Sequence, residues 1–182
     1  MIEATVESIR VSMVTQNRVV ILREVNGTRS LPIWIGSYEA EAIALELQGV
    51  APTRPLPYDL MCTMIGELGA DMDRVIISDL SHKVYYATIV LVVGTSTIEI
   101  DARPSDALAL AIRTDARILI EDAVMESAGI TVLDENEVEQ TESETLLTSD
   151  PQTPMPDIGD LGLFRDFINS LEADDHNRDF EL

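Results

Sequence analysis

From Val6 to Val14 apolar and polar residues alternate. Ile9, Val11 and Met13 fall on one face and Ser8, Arg10 and Ser12 on the other, the two-residue period of a half-buried strand. Arg18–Val25 and Thr28–Ile35 are two further strand-like runs, separated by Asn26-Gly27. Asn-Gly accommodates the positive φ angles of a type I′ turn, so the two runs predict a hairpin. After Gly36, the residues Ala40, Ile43, Ala44 and Leu47 share a stripe at helical spacing, with Ser37 placed to cap its start and Gly49 its end. A proline-rich link, Ala51–Pro57, leads to a second helix over roughly Tyr58–Leu68, ended by Gly69. Val75–Leu80 and Val84–Val93 read as strands paired around Ser81-His82-Lys83. The second of these is apolar on both faces, which marks a central strand. A strand at Thr97–Ala102, a helix at Asp106–Thr114, a short strand at Arg117–Ile120 and a helical turn near Ala123–Val124 complete the pattern. The class is α+β: a single domain over residues 1–130 with a mixed, mainly antiparallel sheet and three main helices.

The character changes after Gly129. Residues 131–157 have the composition of an acidic flexible linker, with seven Asp and Glu between Asp134 and Asp150 and three prolines between Pro151 and Pro156. Residues 158–182 form a tail in which Leu161, Phe164, Ile168 and Leu171 recur at the spacing of a short amphipathic helix. Of the formal net charge of −21, residues 1–130 supply −8 and the rest −13. So acidic a chain is unsuited to general nucleic-acid affinity, which rests on Lys and Arg displacing counterions, although a local basic cleft stays compatible with it. Cys62 is the only cysteine, so neither an internal disulfide nor a Cys-based zinc site is available. The first residues carry acids where a signal peptide has a basic end, and apolar runs such as Ile89–Val93 are far too short to span a bilayer. The expectation is a soluble, cytoplasmic protein without a membrane segment. Trp34, Ile35 and the apolar Ile89–Val93 strand are expected to be shared between copies in a closed homo-oligomer.

Two short segments are alike. Arg54-Pro55-Leu56-Pro57-Tyr58-Asp59 and Arg103-Pro104-Ser105-Asp106 each place Arg-Pro ahead of an Asp at a helix start. Capping explains this without any function: proline excludes helix at the preceding Arg, Ser105 or Asp106 can satisfy free N–H groups, and the Asp complements the helix dipole. The functional reading gathers Arg54 and Arg103 with Asp59, Asp101 and Asp106 in one pocket, the arginines clamping a phosphate and the carboxylates holding a divalent metal. Glu39 and Glu41, in the first turn after Leu31–Gly36, are ordinarily dipole compensation, with Glu39 the one to consider as a ligand. Trp34 suits a core or interface anchor, and Tyr85 and Tyr86 point to opposite faces of one strand. His82 and His176 have no local partner pattern, and no glycine-rich phosphate loop, GxSxG or HExxH occurs.

Three blocks, Leu31-Pro-Ile-Trp-Ile-Gly-Ser-Tyr-Glu-Ala-Glu-Ala-Ile43, Arg54–Leu60 and Asp101-Ala-Arg-Pro-Ser-Asp-Ala-Leu108, together resemble the signature segments of the bifunctional nuclease (BFN, DUF151) family, in order, over about residues 1–130. Phe164–Leu171 also resembles the end of some bacterial members. The resemblance implies a metal-dependent nuclease acting on RNA, DNA or both. Arg54, Asp59, Arg103 and Asp106 would be catalytic, and Asp59, Asp101 and Asp106 would be ligands of Mg²⁺ or Mn²⁺. One position departs: the family's second block usually carries His before the Asp, and Tyr58 stands there. Histidine is the commonest acid or base near neutral pH, whereas an ordinary phenol titrates near ~10. The contrasting expectation is a non-catalytic, homo-oligomeric interaction module with an acidic surface, in which the same residues are structural caps.

Overall fold

The computed structural model describes residues 1–11 and 17–131. Eight strands and four helices follow one another: β1 (Ile2–Val11), β2 (Arg18–Glu24), β3 (Arg29–Ile35), α1 (Ser37–Leu47), α2 (Pro57–Glu67), β4 (Asp71–Ser81), β5 (Val84–Val93), β6 (Ser96–Ala102), α3 (Pro104–Thr114), β7 (Arg117–Ile120), α4 (Asp122–Ala128) and β8 (Ile130–Thr131). The strands form one sheet in the order β6-β5-β4-β7-β1-β2-β3-β8. Two antiparallel meanders are joined through β7, which runs antiparallel to β1 and parallel to β4. The α+β class, the mixed and mainly antiparallel sheet and the three long helices are as the sequence predicts. The expected turn near Ala123–Val124 is the fourth, short helix. The expected acidic linker from residue 132 on, the amphipathic helix within 158–182 and Ser12–Val14 of the first predicted strand lie outside the described residues. None of the described helices is long and apolar enough to cross a membrane.

Alternation decides which face carries the helices. Val75, Ile77, Ala87, Ile89, Leu91, Ile118 and Ile120 share one face across β4, β5 and β7 and join Ile43, Leu108 and Ala111 in the core. α3 runs between this face and the other two long helices. Its Pro104, Ser105, Ala107, Leu108, Ala109, Leu110 and Ala111 are all buried, as expected of a helix covered on most sides. The sheet curls: the Tyr85 hydroxyl on β5 donates to the Pro32 carbonyl on β3 at 3.2 Å, although four strands separate the two in sheet order. Tyr86, one residue on, is 42% exposed, so the two tyrosines do face opposite sides.

Two local expectations change. The β2–β3 hairpin forms, but neither Asn26 nor Gly27 has positive φ, so its turn is not type I′. Val25 instead donates its N–H to the Glu3 carbonyl at 2.9 Å, Arg29 forks onto the Glu24 carboxylate, and a Cβ at Gly27 would collide with that carboxylate. The two successive positive φ angles fall at His82 (50°) and Lys83 (66°), in the β4–β5 turn. At α1 the N-cap is Gly36, and Ser37 is already the first helical residue.

Candidate functional site

The first turns of α1, α2 and α3 meet on the same side of the domain, each carrying one participant. Glu39 lies in the first turn of α1, Tyr58 in that of α2 and Asp106 in that of α3, with Arg103 as the N-cap of α3. Proline at the start of α2 and α3 fits there because the first helical N–H has no intrahelical acceptor to lose. Gly36 leaves the space that the Glu39 carboxylate occupies as it folds back over the start of α1.

Arg103 is the hub. Its Nε donates to Asp106 Oδ2 at 2.7 Å, and its Nη2 donates to Asp106 Oδ1 at 3.1 Å and to Glu39 Oε1 at 2.8 Å. A guanidinium has five N–H donors, so these bonds leave the pair on Nη1. The side chain is 66% exposed, and the two carboxylates, Asp106 foremost, hold it more firmly protonated than an ordinary arginine. The Tyr58 hydroxyl donates to Asp106 Oδ1 at 2.7 Å. Burial first, and then this bond to a carboxylate, push the phenol above its ordinary pKa. Tyr58 is therefore a hydrogen-bond donor at neutral pH and not a base, so it does not replace a histidine in proton abstraction.

A second layer lies beneath. Asp59, three residues into α2, turns away from Arg103. Its Oδ2 accepts from the Leu56 N–H at 2.7 Å and its Oδ1 from Arg113 Nε at 2.8 Å. The Arg113 side chain is only 6% exposed. Its Nη1 donates to the Ala109 carbonyl at 2.8 Å, its Nη2 to the Ala42 carbonyl at 3.0 Å, and its guanidinium lies 5.5 Å from the Tyr58 ring centroid. Arg113, and after it the Leu56 N–H, hold the Asp59 carboxyl below the usual carboxylate range.

The residues singled out by sequence thus separate. Arg103 and Asp106 come together and add Glu39 and Tyr58. Asp59 sits behind them as the partner of Arg113. Arg54 is exposed in the link ahead of α2 and makes no side-chain hydrogen bond or ion pair among the described residues. Asp101 pairs with Thr88 on β5, whereas its neighbour Ala102 pairs with Ala87 of the core, so Asp101 faces away from the helices and from Asp106. Capping does not account for Asp106: α3 has no side-chain cap, and both carboxylate oxygens serve Arg103 and Tyr58. For Asp59 the capping expectation holds through the Leu56 N–H. Arg113 was not among the sequence candidates, since a basic residue in the last helical turn reads as dipole compensation.

A resident divalent ion needs several oxygen donors free to face it. Among the described residues no three His, Cys, Asp or Glu side chains converge in that way, and the carboxylates nearest Arg103 already accept from it. Asp59, Asp101 and Asp106 do not fit such a site together.

Residues 20–133 match the bifunctional nuclease domain. Uncharacterized proteins from two strains of Mycobacterium tuberculosis are 40% identical over 173 residues, which is 95% of this chain and 96% of theirs. Bifunctional nuclease 1 of Oryza sativa subsp. japonica is 28% identical over 123 residues, 66% of this chain and 36% of that protein. The matched domain contains all three blocks whose first turns meet at Arg103, and the chain belongs to the bifunctional nuclease domain family.

Proposed function

We propose that the protein is a nuclease that holds a phosphodiester at Arg103, where the first turns of α1, α2 and α3 meet. The observation that carries this reading is the state of Arg103. It is locked by three hydrogen bonds to two carboxylates, yet largely exposed and left with the two N–H donors of Nη1. An arginine fixed in this way meets a phosphate oxygen with little ordering cost, and it opposes charge that develops on that oxygen. Arg54, exposed and without an ion pair among the described residues, is the second cation proposed for the nucleic-acid backbone. Asp106 and Glu39 orient Arg103. Among the described residues no set of side chains makes a resident metal site. Mg²⁺ or Mn²⁺ is accordingly proposed as an ion that arrives with the nucleic acid and offsets its repulsion by an acidic chain.

Cleavage of single-stranded RNA and DNA by the purified chain, with Mg²⁺, Mn²⁺ or chelator, tests this. The expected result is cleavage that falls at least ~100-fold in Arg103→Met, the usual cost of removing one preorganised electrostatic donor. A second reading has its own observation: Glu39, Asp59, Arg103, Asp106 and Arg113 are already paired with one another within the protein. If the wild-type chain cleaves neither polymer with either ion, the junction is a brace and the domain is an interaction module.

A further inference from the structure

We propose that Arg113 is the positioning residue of this site, acting through Tyr58 on Asp106 and so on Arg103. The inference rests on the reading of Arg103 given above and extends it to a residue that touches none of the reacting groups. Arg113 ties three helices at once: Asp59 at the start of α2, the Ala42 carbonyl of α1 and the Ala109 carbonyl of its own α3. Through Asp59, which also holds the Leu56 N–H, it fixes the first turn of α2, where Tyr58 sits. Its guanidinium carbon also lies over the Tyr58 ring, 5.5 Å from the centroid, within cation–π range. The phenol so placed donates to Asp106 Oδ1, the oxygen that Arg103 Nη2 also reaches. Asp106 cannot swing toward solvent without giving up that bond, and Arg103 stays aimed because Asp106 stays put. A continuous line of contacts therefore runs from a buried guanidinium to an exposed one. A lysine at position 113 would keep the charge, but its three donors sit on one nitrogen and could not reach acceptors spread around a planar fork on three helices.

The test is Arg113→Lys in the full chain, alone and combined with Tyr58→Phe, read by water exchange of the Arg103 Nε–H in nitrogen-15 NMR and by cleavage kinetics. In Arg113→Lys the Arg103 Nε–H is expected to exchange about tenfold faster, within the range of coupling between residues of one network. kcat/KM should fall by a similar factor. In the Tyr58→Phe background the lysine substitution should add nothing to either readout. An Arg103 Nε–H that exchanges as in the wild type, or a lysine effect of the same size with and without the Tyr58 hydroxyl, overturns the proposal and leaves Arg113 a structural brace. Faster exchange in a chain that cleaves nothing supports the positioning role and removes only the nuclease reading. Should Arg113→Lys fail to fold, Asp59→Asn keeps an acceptor for the Leu56 N–H, weakens the anchor of Arg113 and is judged by the same two readouts.

Discussion

Truncating Asp59 to alanine separates a structural carboxylate from a solvent-facing ligand. In the structure Asp59 is the close charged partner of Arg113, at 2.8 Å, while Glu46 is 3.7 Å away. The Arg113 side chain is 6% exposed, so Asp59→Ala leaves a buried guanidinium short of its counter-charge. Breaking a buried ion pair from one side costs about 3–5 kcal/mol. The lower end, about 3 kcal/mol, applies here because Glu46 can move closer and Asp59 itself keeps 26% of its side chain exposed. The lost bond to the Leu56 N–H adds about 1 kcal/mol. For a domain of this size each kcal/mol lowers Tm by roughly 3–5 °C, so a fall of more than about 10 °C is expected. Urea unfolding followed by circular dichroism gives the free energy directly. A variant within about 0.5 kcal/mol of the wild type, the usual range for surface substitutions, would refute the buried-pair account and return Asp59 to the surface.

Acid unfolding carries the same signature. The Asp59 carboxyl is held below its ordinary value of 3.8 in the folded chain, so below about pH 4 the unfolded chain binds the extra proton. The stabilisation is complete above that ordinary value and is lost as pH falls through the lower folded one. Asp59→Ala should therefore flatten the acid limb, leaving the part contributed by Glu24, Asp73 and Asp122, whose carboxyls are also lowered by their cationic partners. Tyr58→Phe should cost about 1 kcal/mol in urea unfolding, the worth of one hydrogen bond, and no more. Gly36→Ala should leave Tm nearly unchanged, because φ at that position is −69°, yet slow cleavage several-fold by displacing the Glu39 carboxylate from Arg103. Tyr58→His should add a limb near pH ~6.5, raised by the adjacent Asp106, to the pH profile of cleavage, which the phenol does not provide.

Much of the fold was legible because periodicity reports burial directly. The strand at β1, the interior position of the largely apolar β5 and the buried Ala40 and Ile43 of the α1 stripe agree with that reading, whereas Leu47 of the stripe is exposed. Turn chemistry was less legible. Asn26-Gly27 carries the commonest type I′ signal, yet the Glu24–Arg29 pair and the Val25 N–H closed that hairpin differently, while His82 and Lys83 took the positive φ angles. At the site, the Arg-Pro-x-Asp pattern drew attention to Arg103 and Asp106, and their contact spans one helical turn, a distance a sequence encodes. The similarity between the two Arg-Pro segments misled about their orientation: Asp106 meets Arg103, whereas Asp59 meets Arg113, 54 residues away in the chain. The contacts of Glu39 and Tyr58, separated from Arg103 and Asp106 by 64 and 48 residues, depend on how three helices pack and leave no local mark.

The most direct test of the account watches Arg103 while a nucleic acid binds. A short single-stranded oligonucleotide with non-cleavable linkages is titrated into the nitrogen-15-labelled chain, and Arg103→Lys assigns the side-chain signal. The account predicts a saturable shift of the Arg103 guanidinium resonances as Nη1 takes up a phosphate oxygen. Its Nε–H should stay protected, because Asp106 keeps it. The affinity should fall only gently with added salt, as few phosphate contacts require. Saturable binding that shifts other arginines and leaves Arg103 unchanged, or no binding at all with Mg²⁺ or Mn²⁺ present, would contradict it.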